Sequence, residues 1–463
     1  MKVLTTTLCY PTPAEPQQGI FVQRRAAALA DHCGIEVEVA SPQPWCPLLR
    51  RTPHAPVQTH PLQASYPKLL SVPVLNWVTD GVAYARAIQR FVLQRVCEKP
   101  FQGRARKEAV VGHRRKPLPH GHGSEGCPTS HIHSQKQRTG DAGFDLIDAH
   151  FVYPDGVGAW LAGRQLGIPV VVTVRGKIVS LSRRAIRRLQ IRAMLRSVDA
   201  RIAVSESLAR QVHRIAGSDL PVDVIPNGVD AATFRPIDRA RARRALGWDL
   251  DTRYVLSVGH LQRLKGFDRL VDVLPAVRAC LGDVRLMLAG SRRGEPGFQA
   301  VFARRMAEVN QKAHTPFNWP CVSFVGEVPT DQLSLMYSAA DLCVNASRSE
   351  GWSNAISESL AAGTPVVATD VGGNREQICS VELGTIVPDG DATALGVAIV
   401  AALSREWNRP LIAAHGAARG WDQVADEVYT VFKRVCTSPR ERAATGLGPV
   451  CARGAERAIE VPG

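Results

Sequence analysis

No apolar run in this chain approaches the ~18 residues that a bilayer-spanning helix needs, so no segment reads as a transmembrane helix. Cysteine occurs 11 times but never as C-x-x-C, and the odd, scattered set indicates neither a disulfide framework nor a structural zinc site. The opening MKVLTTTLCY has a single lysine and meets proline at position 11, so it reads as a first buried strand and not as a secretory signal. A cytoplasmic protein is the expectation. Acid is the scarcer charge, with 42 Asp+Glu against 57 Lys+Arg, and the net charge of +15 calls for an anionic partner. Nucleic acid, anionic lipid and phosphorylated small molecules all qualify on charge alone. What is present otherwise is ordinary for a soluble chain: 45% apolar and 21% charged residues over 463 positions, enough for two or three domains.

The chain alternates strand and helix patterns. Val3 to Cys9 reads as a strand, then a Pro-rich loop leads to Gly19, a helix from about Phe21 to Asp31, and a strand from Ile35 to Ala40. That order opens a parallel sheet with right-handed crossovers. Residues 41–75 carry eight prolines and predict an irregular surface loop. Trp77 to Cys97 has helical periodicity. Residues 98–142 hold nine Lys/Arg against four Asp/Glu and five histidines, without apolar periodicity, and read as a disordered basic insertion. His120, His122, His131 and His133 within it lack regular ligand spacing, so no metal site is expected there.

Regular structure resumes with FDLIDAHFVYPDGVGAWLAG, a strand, turn and helix with His150 at the strand's carboxyl end, where open parallel sheets bind ligands. A satisfied structural histidine fits that position equally well. Pro169 to Val174 is a buried strand ending in Arg175-Gly176-Lys177. Between Arg183 and Arg201 lie seven arginines and one acid. Arg184, Arg188, Arg192 and Arg196 form one stripe on a helix beside Ile186, Leu189 and Ala193. Such a helix suits an anionic membrane surface, or is simply solvated; without aromatics in the stripe it does not suit single-stranded nucleic acid.

After Pro226-Asn227-Gly228-Val229-Asp230, a turn, a second strand–helix series begins, and two such domains leave a cleft between them. Gly259, His260, Arg263, Lys265 and Gly266 sit in a strand-to-helix loop, where the ammonium of Lys265 can meet an anion at the helix N-terminus. The stretch Ser349 to Ile378, SEGWSNAISESLAAGTPVVATDVGGNREQI, reads as loop, helix from Ala355 to Ala362, buried strand and second glycine loop. Gly351 allows a tight turn, Asn354 stands at the helix entrance as a cap or beside amides left for an anion, and Glu350 and Glu358 are separated by seven residues. Trp421 to Val435 is amphipathic, and the tail beyond about Thr437 reads as disordered.

AHFVYPDGVGA, VTVRGKI, VIPNGVDAATF, SVGHLQRLKGFD and SRSEGWSNAISESLAAGTPVVATDVGGNRE, in this order, resemble glycosyltransferase family 4, the retaining nucleotide-sugar enzymes of the GT-B fold. The resemblance covers nearly everything except 98–142 and the tail. It implies two Rossmann-like domains, 1–228 for the acceptor and 229–412 for the nucleotide sugar, with 413–436 crossing back to the first and 437–463 as tail. By the same resemblance Glu350 contacts the sugar, Glu358 accepts from the ribose hydroxyls, and Lys265 neutralises the diphosphate. Gly259, His260, Arg263, Gly351, Asn354 and Ala355 border the donor. His150 lies near the anomeric centre, Gly19 borders the site, and Arg175 and Lys177 fall on the acceptor side. The implied partners are a UDP- or GDP-sugar and a glycan or lipid-linked acceptor, with no further cofactor and no metal, since Asp249-x-Asp251 precedes a strand instead of ending one.

Two positions depart from the family pattern. His260 stands where an arginine is common, with Arg263 three residues on as a substitute cation, and RGKI replaces RGTDI, which bears on acceptor choice. A non-catalytic nucleotide-sugar-binding scaffold is the alternative from another class, and a sugar-nucleotide epimerase is a third reading, which the VIPNGVD joint and the glutamate pair disfavour.

Overall fold

The structure is a computed structural model describing residues 1–12, 15–45, 57–59, 62–70, 76–108, 143–292, 295–313 and 320–437. The tail past position 437, and His120, His122, His131 and His133, lie outside the described residues.

The first half comprises β1 (Lys2–Thr6), α1 (Ile20–Asp31), β2 (Glu36–Ala40), β3 (Gln43–Trp45), β4 (Val57–Thr59), β5 (Leu62–Ser65), β6 (Lys68–Leu70) and α2 (Asn76–Glu108). It continues with β7 (Leu146–His150), α3 (Val157–Leu166), β8 (Val170–Val174), α4 (Ile178–Leu181), α5 (Ala185–Ser197), β9 (Ala200–Ala203), α6 (Glu206–Ala216) and β10 (Asp223–Val224). Eight strands form one sheet in the order β10-β9-β8-β7-β1-β2-β5-β4, parallel except for the β4–β5 pair. Every residue of β7 and β8 is buried, the consequence of helices covering both faces, and this is why β8 reads as a near-continuous apolar run without alternation, while β7 buries Asp148 and His150.

The second half comprises α7 (Arg239–Leu246), β11 (Arg253–Val258), α8 (Phe267–Leu281), β12 (Val284–Ala289), α9 (Pro296–Lys312), β13 (Val322–Gly326), α10 (Thr330–Ala339) and β14 (Leu342–Asn345). Then come α11 (Asn354–Ala361), β15 (Val366–Thr369), α12 (Asn374–Gln377), β16 (Gly384–Val387), α13 (Ala392–Ser404), α14 (Arg409–Ala417) and α15 (Trp421–Cys436). Its six-stranded sheet is wholly parallel, in the order β13-β12-β11-β14-β15-β16.

Helix α15 returns to the first sheet. Trp421, Val424, Val428, Val431 and Phe432, spaced for one helix face, pack with Val22, Ala26 and Leu29 of α1. Burial of each large apolar side chain contributes about 1.5–3 kcal/mol, so this face fixes α15 to the N-terminal domain.

Two expectations need correction. The proline-rich segment holds four short strands, including β3 with Pro44 inside it; β3 and β6 form a separate two-stranded ribbon and β4 is an edge strand, positions where a missing N–H is tolerated. Helix α2 continues to Glu108, ten residues beyond the point where the basic insertion is expected to begin. Its buried side chains include Tyr84, Ile88, Phe91 and Val92, and the helix itself runs on through the stretch where apolar periodicity is lost. The rest of that segment, 109–142, lies outside the described residues.

Candidate functional site

The carboxyl ends of both sheets face each other, and the loops there carry the candidate residues. Glu350 follows β14. Its Oε1 accepts from the Lys265 ammonium at 2.7 Å and from the Ser347 hydroxyl at 2.7 Å, and its side chain is only 9% exposed. Lys265 ends a short turn before α8, and its aliphatic stem lies over Gly259: a Cβ there would be 3.3 Å from Lys265 Cγ and Cδ. Gly351 is pressed onto the other domain. A Cβ at that position would sit 2.1 Å from the Arg175 carbonyl oxygen, so only glycine admits the approach.

Helix α11 starts at Asn354, one residue before the expected start, with Ser353 in the cap position. Asn354 does not cap the helix: its Oδ1 accepts from Asn227 Nδ2 at 3.0 Å, across the joint between the domains. The amides of Asn354 and Ala355 therefore belong to the first turn, where a helix supplies N–H groups to an anion. Glu358, one turn further, accepts from the Tyr337 hydroxyl at 3.0 Å. Burial raises its pKa to about 7, against the pull of Arg24 and the Tyr337 hydrogen bond. Glu358, Asn354 and Ser357 form one wall of a narrow crevice, and Ile20, Phe21 and Arg24 of α1 form the other. Gly19 caps α1 with φ 68°, and a Cβ there would overlap the Cys9 carbonyl at 2.0 Å, which brings α1 to the crevice without side-chain obstruction.

His260 Nδ1 lies 2.6 Å from Ser291 Oγ, and burial followed by the nearby Lys265 charge lowers its pKa, so it is neutral. The Arg263 guanidinium stands 5.6 Å above the Phe298 ring, with its carbonyl accepting from Arg348. Asp249 and Asp251 form a turn in which Asp249 Oδ1 accepts from the amides of Asp251 and Thr252. Among the described residues no group of three or more His, Cys, Asp or Glu side chains could hold a metal.

His150 is wholly buried beneath the cleft, within a polar cluster. Its Nδ1 accepts from Arg175 Nε at 2.8 Å, and its Nε2 lies 3.1 Å from Asp148 Oδ2 and 2.9 Å from Arg25 Nη2. Arg25 of α1 donates to both oxygens of Asp148, at 2.6 Å to Oδ1, and to Thr173 Oγ1 at 2.9 Å. Burial and then the Arg25 guanidinium push the imidazole down to about 3, against the pull of Asp148. Burial alone would raise the Asp148 carboxyl, but Arg25 and His150 hold it well below the usual carboxylate range. Arg175 continues the chain, donating from Nη1 to Asn227 Oδ1 at 2.7 Å. The result is a rigid relay, Arg25–Asp148–His150–Arg175–Asn227–Asn354, from the core of one domain to the anion-facing end of α11.

Sequence reasoning missed Arg25, Asp148, Asn227 and Tyr337. Asp148 had a signal: a carboxylate two residues before His150 on one strand shares its face. It also missed Glu376, whose carboxylate accepts from the amides of Glu206 and Ser207 at 2.9 and 3.0 Å, bonding α12 to the start of α6 across the domains.

Two family descriptions match this chain: "Glycosyltransferase Family 4" over residues 92–233 and "Glycosyl transferases group 1" over residues 252–405. A D-inositol 3-phosphate glycosyltransferase of Acidothermus cellulolyticus is 30% identical over 326 residues, 65% of this chain and 69% of that protein. The chain belongs to glycosyltransferase family 4. Another family 4 relative, a phosphatidyl-myo-inositol mannosyltransferase of Mycobacterium leprae, is 29% identical over 66% of this chain and 78% of its own length. Sucrose-phosphate synthase from Thermosynechococcus elongatus has the same fold, with a TM-score of 0.65 at 20% identity, covering 96% of this chain and 98% of that one. Anabaena HepE in complex with UDP gives 0.62 at 15% identity, covering 94% and 100%. The GT-B architecture and glycosyltransferase activity expected from the motifs are therefore those of the protein.

Proposed function

We propose that this glycosyltransferase moves a sugar from a UDP- or GDP-sugar to a glycan or lipid-linked acceptor, with retention of configuration, in the synthesis of a cell-surface polysaccharide or glycolipid. The observation that carries the reading is the convergence of Lys265, Glu350 and the first turn of α11 at one point of the cleft. Glu358 receives the ribose hydroxyls, the α11 amides and Lys265 hold the diphosphate, and Glu350 faces the sugar. As the bond from the anomeric carbon to the diphosphate breaks, its electron pair goes to the phosphate oxygen. The ammonium and the helix terminus stabilise that growing charge more than they stabilise the ground state. Protein cations thus do the neutralising, with no metal needed. The leaving oxygen takes the acceptor hydroxyl's proton as the new bond forms on the same face. His150, buried and neutral, acts through Arg175 as a positioning residue.

Thermal denaturation with a panel of UDP- and GDP-sugars tests the donor class. A donor at 100 times its dissociation constant adds about 2.7 kcal/mol of stability, and a panel without any shift counts against the reading.

The Glu358 pKa gives a pH signature. An ionised carboxylate accepts the ribose hydroxyls, so protonation opposes binding. Affinity for a nucleotide sugar is expected to rise by up to about tenfold per pH unit as pH approaches 7 from below, then level off. Titration calorimetry from pH 5.5 to 8 measures this, and the slope should vanish in Glu358→Gln.

A peripheral site on an anionic membrane completes the proposal. The core-facing side of α5 is Ile191, Met194 and Leu195, which leaves Ile186 at 47% and Leu189 at 68% exposure beside the exposed Arg183, Arg188 and Arg192. Apolar side chains ringed by cations fit anionic headgroups. No helix among the described residues is long and apolar enough to cross a membrane. Sedimentation with phosphatidylglycerol vesicles is expected to bind the protein, and to fall with salt and with Arg184→Gln, Arg188→Gln and Arg192→Gln combined. Unchanged binding in that variant rejects the surface.

A further inference from the structure

The cleft is short of available positive charge on its C-terminal wall. The Lys265 ammonium is already matched by Glu350 at 2.7 Å. His260 is neutral and engaged with Ser291, and the Arg263 guanidinium lies over Phe298. Arg24, on the opposite wall, lies over Phe234 and 3.9 Å from Asp230. A diphosphate diester brings two negative charges, and one helix terminus offsets about half of one.

The N-terminal wall has a candidate for the deficit. After β8 the chain runs Arg175-Gly176-Lys177 directly against the turn that carries Glu350: a Cβ on Gly176 would lie 3.7 Å from the Gly351 amide nitrogen. Lys177 is exposed and adopts left-handed backbone angles, φ 56° and ψ 0°, a conformation uncommon for a residue with a side chain. Its carbonyl is tied into α4, accepting from the Leu181 amide and the Ser180 hydroxyl, both at 2.9 Å. Among the described residues no carboxylate forms an ion pair with its ammonium. Its charge is felt on both walls, lowering the pKa of His260 in one domain and opposing the rise of Cys9 in the other.

We propose that Lys177 is a donor-phosphate ligand supplied by the N-terminal domain, gripping the diphosphate from the wall opposite Lys265. This rests on the reading of the cleft as a nucleotide-sugar site and moves Lys177 from the acceptor side, where the family resemblance puts it, to the donor. Because the residue belongs to the domain that does not carry α11, donor binding draws the two walls together, and Lys177 adds to Lys265 a cation that is not already shared with Glu350. A phosphate on the acceptor is the other source of the same chemistry.

Calorimetry with UDP, GDP and the corresponding nucleosides, on wild type, Lys177→Met and Lys177→Arg, tests it. Lys177→Met is expected to weaken the preferred diphosphate at least tenfold, to leave nucleoside binding unchanged, and to flatten the salt dependence. Lys177→Arg should stay within about threefold of wild type, as a general disturbance of the loop would not. In steady-state kinetics the Met variant should raise the donor KM and leave the acceptor KM alone. Equal diphosphate binding by Lys177→Met and wild type overturns the inference, as does a raised acceptor KM with unchanged donor binding. Wild-type protein that binds neither diphosphate overturns the site reading itself, and so is distinguishable from failure of Lys177 alone.

Discussion

A Glu350→Gln variant is expected to bind a nucleoside diphosphate at least as tightly as wild type and yet transfer sugar 10²-fold or more slowly. The two effects part because of the pairing in the ligand-free site. Glu350 holds Lys265 at 2.7 Å, so a neutral amide releases a full cation to the diphosphate while removing the carboxylate that faces the sugar. Loss of a single group positioned for the transition state costs about 10²–10³ in rate in comparable sites. Single-turnover kinetics with calorimetry separates binding from chemistry. Parallel losses of both would mean that Glu350 serves only to orient Lys265. Trapping of a covalent sugar on Glu350 in the wild-type enzyme would sink same-face attack in favour of double displacement.

The second large effect is on stability. Arg25 is 2% exposed and donates to both oxygens of an equally buried Asp148. Arg25→Met leaves that carboxylate with His150 alone, and breaking a buried ion pair from one side costs about 3–5 kcal/mol. The expected result is a drop on the order of 10 °C in the unfolding midpoint of the N-terminal domain. The double variant Arg25→Met, Asp148→Leu should recover much of the loss, because the uncompensated charge is gone with its partner. A drop of less than about 2 °C in the single variant would contradict the pairing. The imidazole in the same cluster sets the acid limit. With His150 lowered to about 3 in the folded state and 6.5 as its ordinary value, the unfolded chain takes up the proton first. Stability from its burial is complete above about pH 6.5 and is lost as pH falls towards 3.

The parallel-sheet architecture was legible because strands buried on both faces, such as Val170–Val174, are written as unbroken β-branched runs, and because Lys265 and the Glu350–Glu358 stretch recur at carboxyl ends of strands. What was not legible depends on separation along the chain. Arg25 and Asp148 meet across 123 residues, and nothing local in the sequence of α1 marks Arg25 apart from Arg24. His150 was drawn to the cleft by its position at a strand end, whereas its side chain points into a hydrogen-bonded interior that only the fold assembles. Asn354 illustrates the same limit in small: its residue type suits a helix cap, but Asn227, 127 residues away, claims its side chain. The Arg184 to Arg196 stripe was visible from spacing alone, but which apolar residues beside it stay exposed follows from how Ile191, Met194 and Leu195 dock on the sheet.

The most direct measurement is release of nucleoside diphosphate from a panel of UDP- and GDP-sugars by wild type and by Lys265→Met, with matched melting midpoints to exclude unfolding. The expected result is turnover of at least one donor by wild type and a loss on the order of 10²-fold or more in the variant. Equal turnover by the two proteins, or no turnover of any donor by wild type, would contradict the assignment of this cleft to nucleotide-sugar transfer.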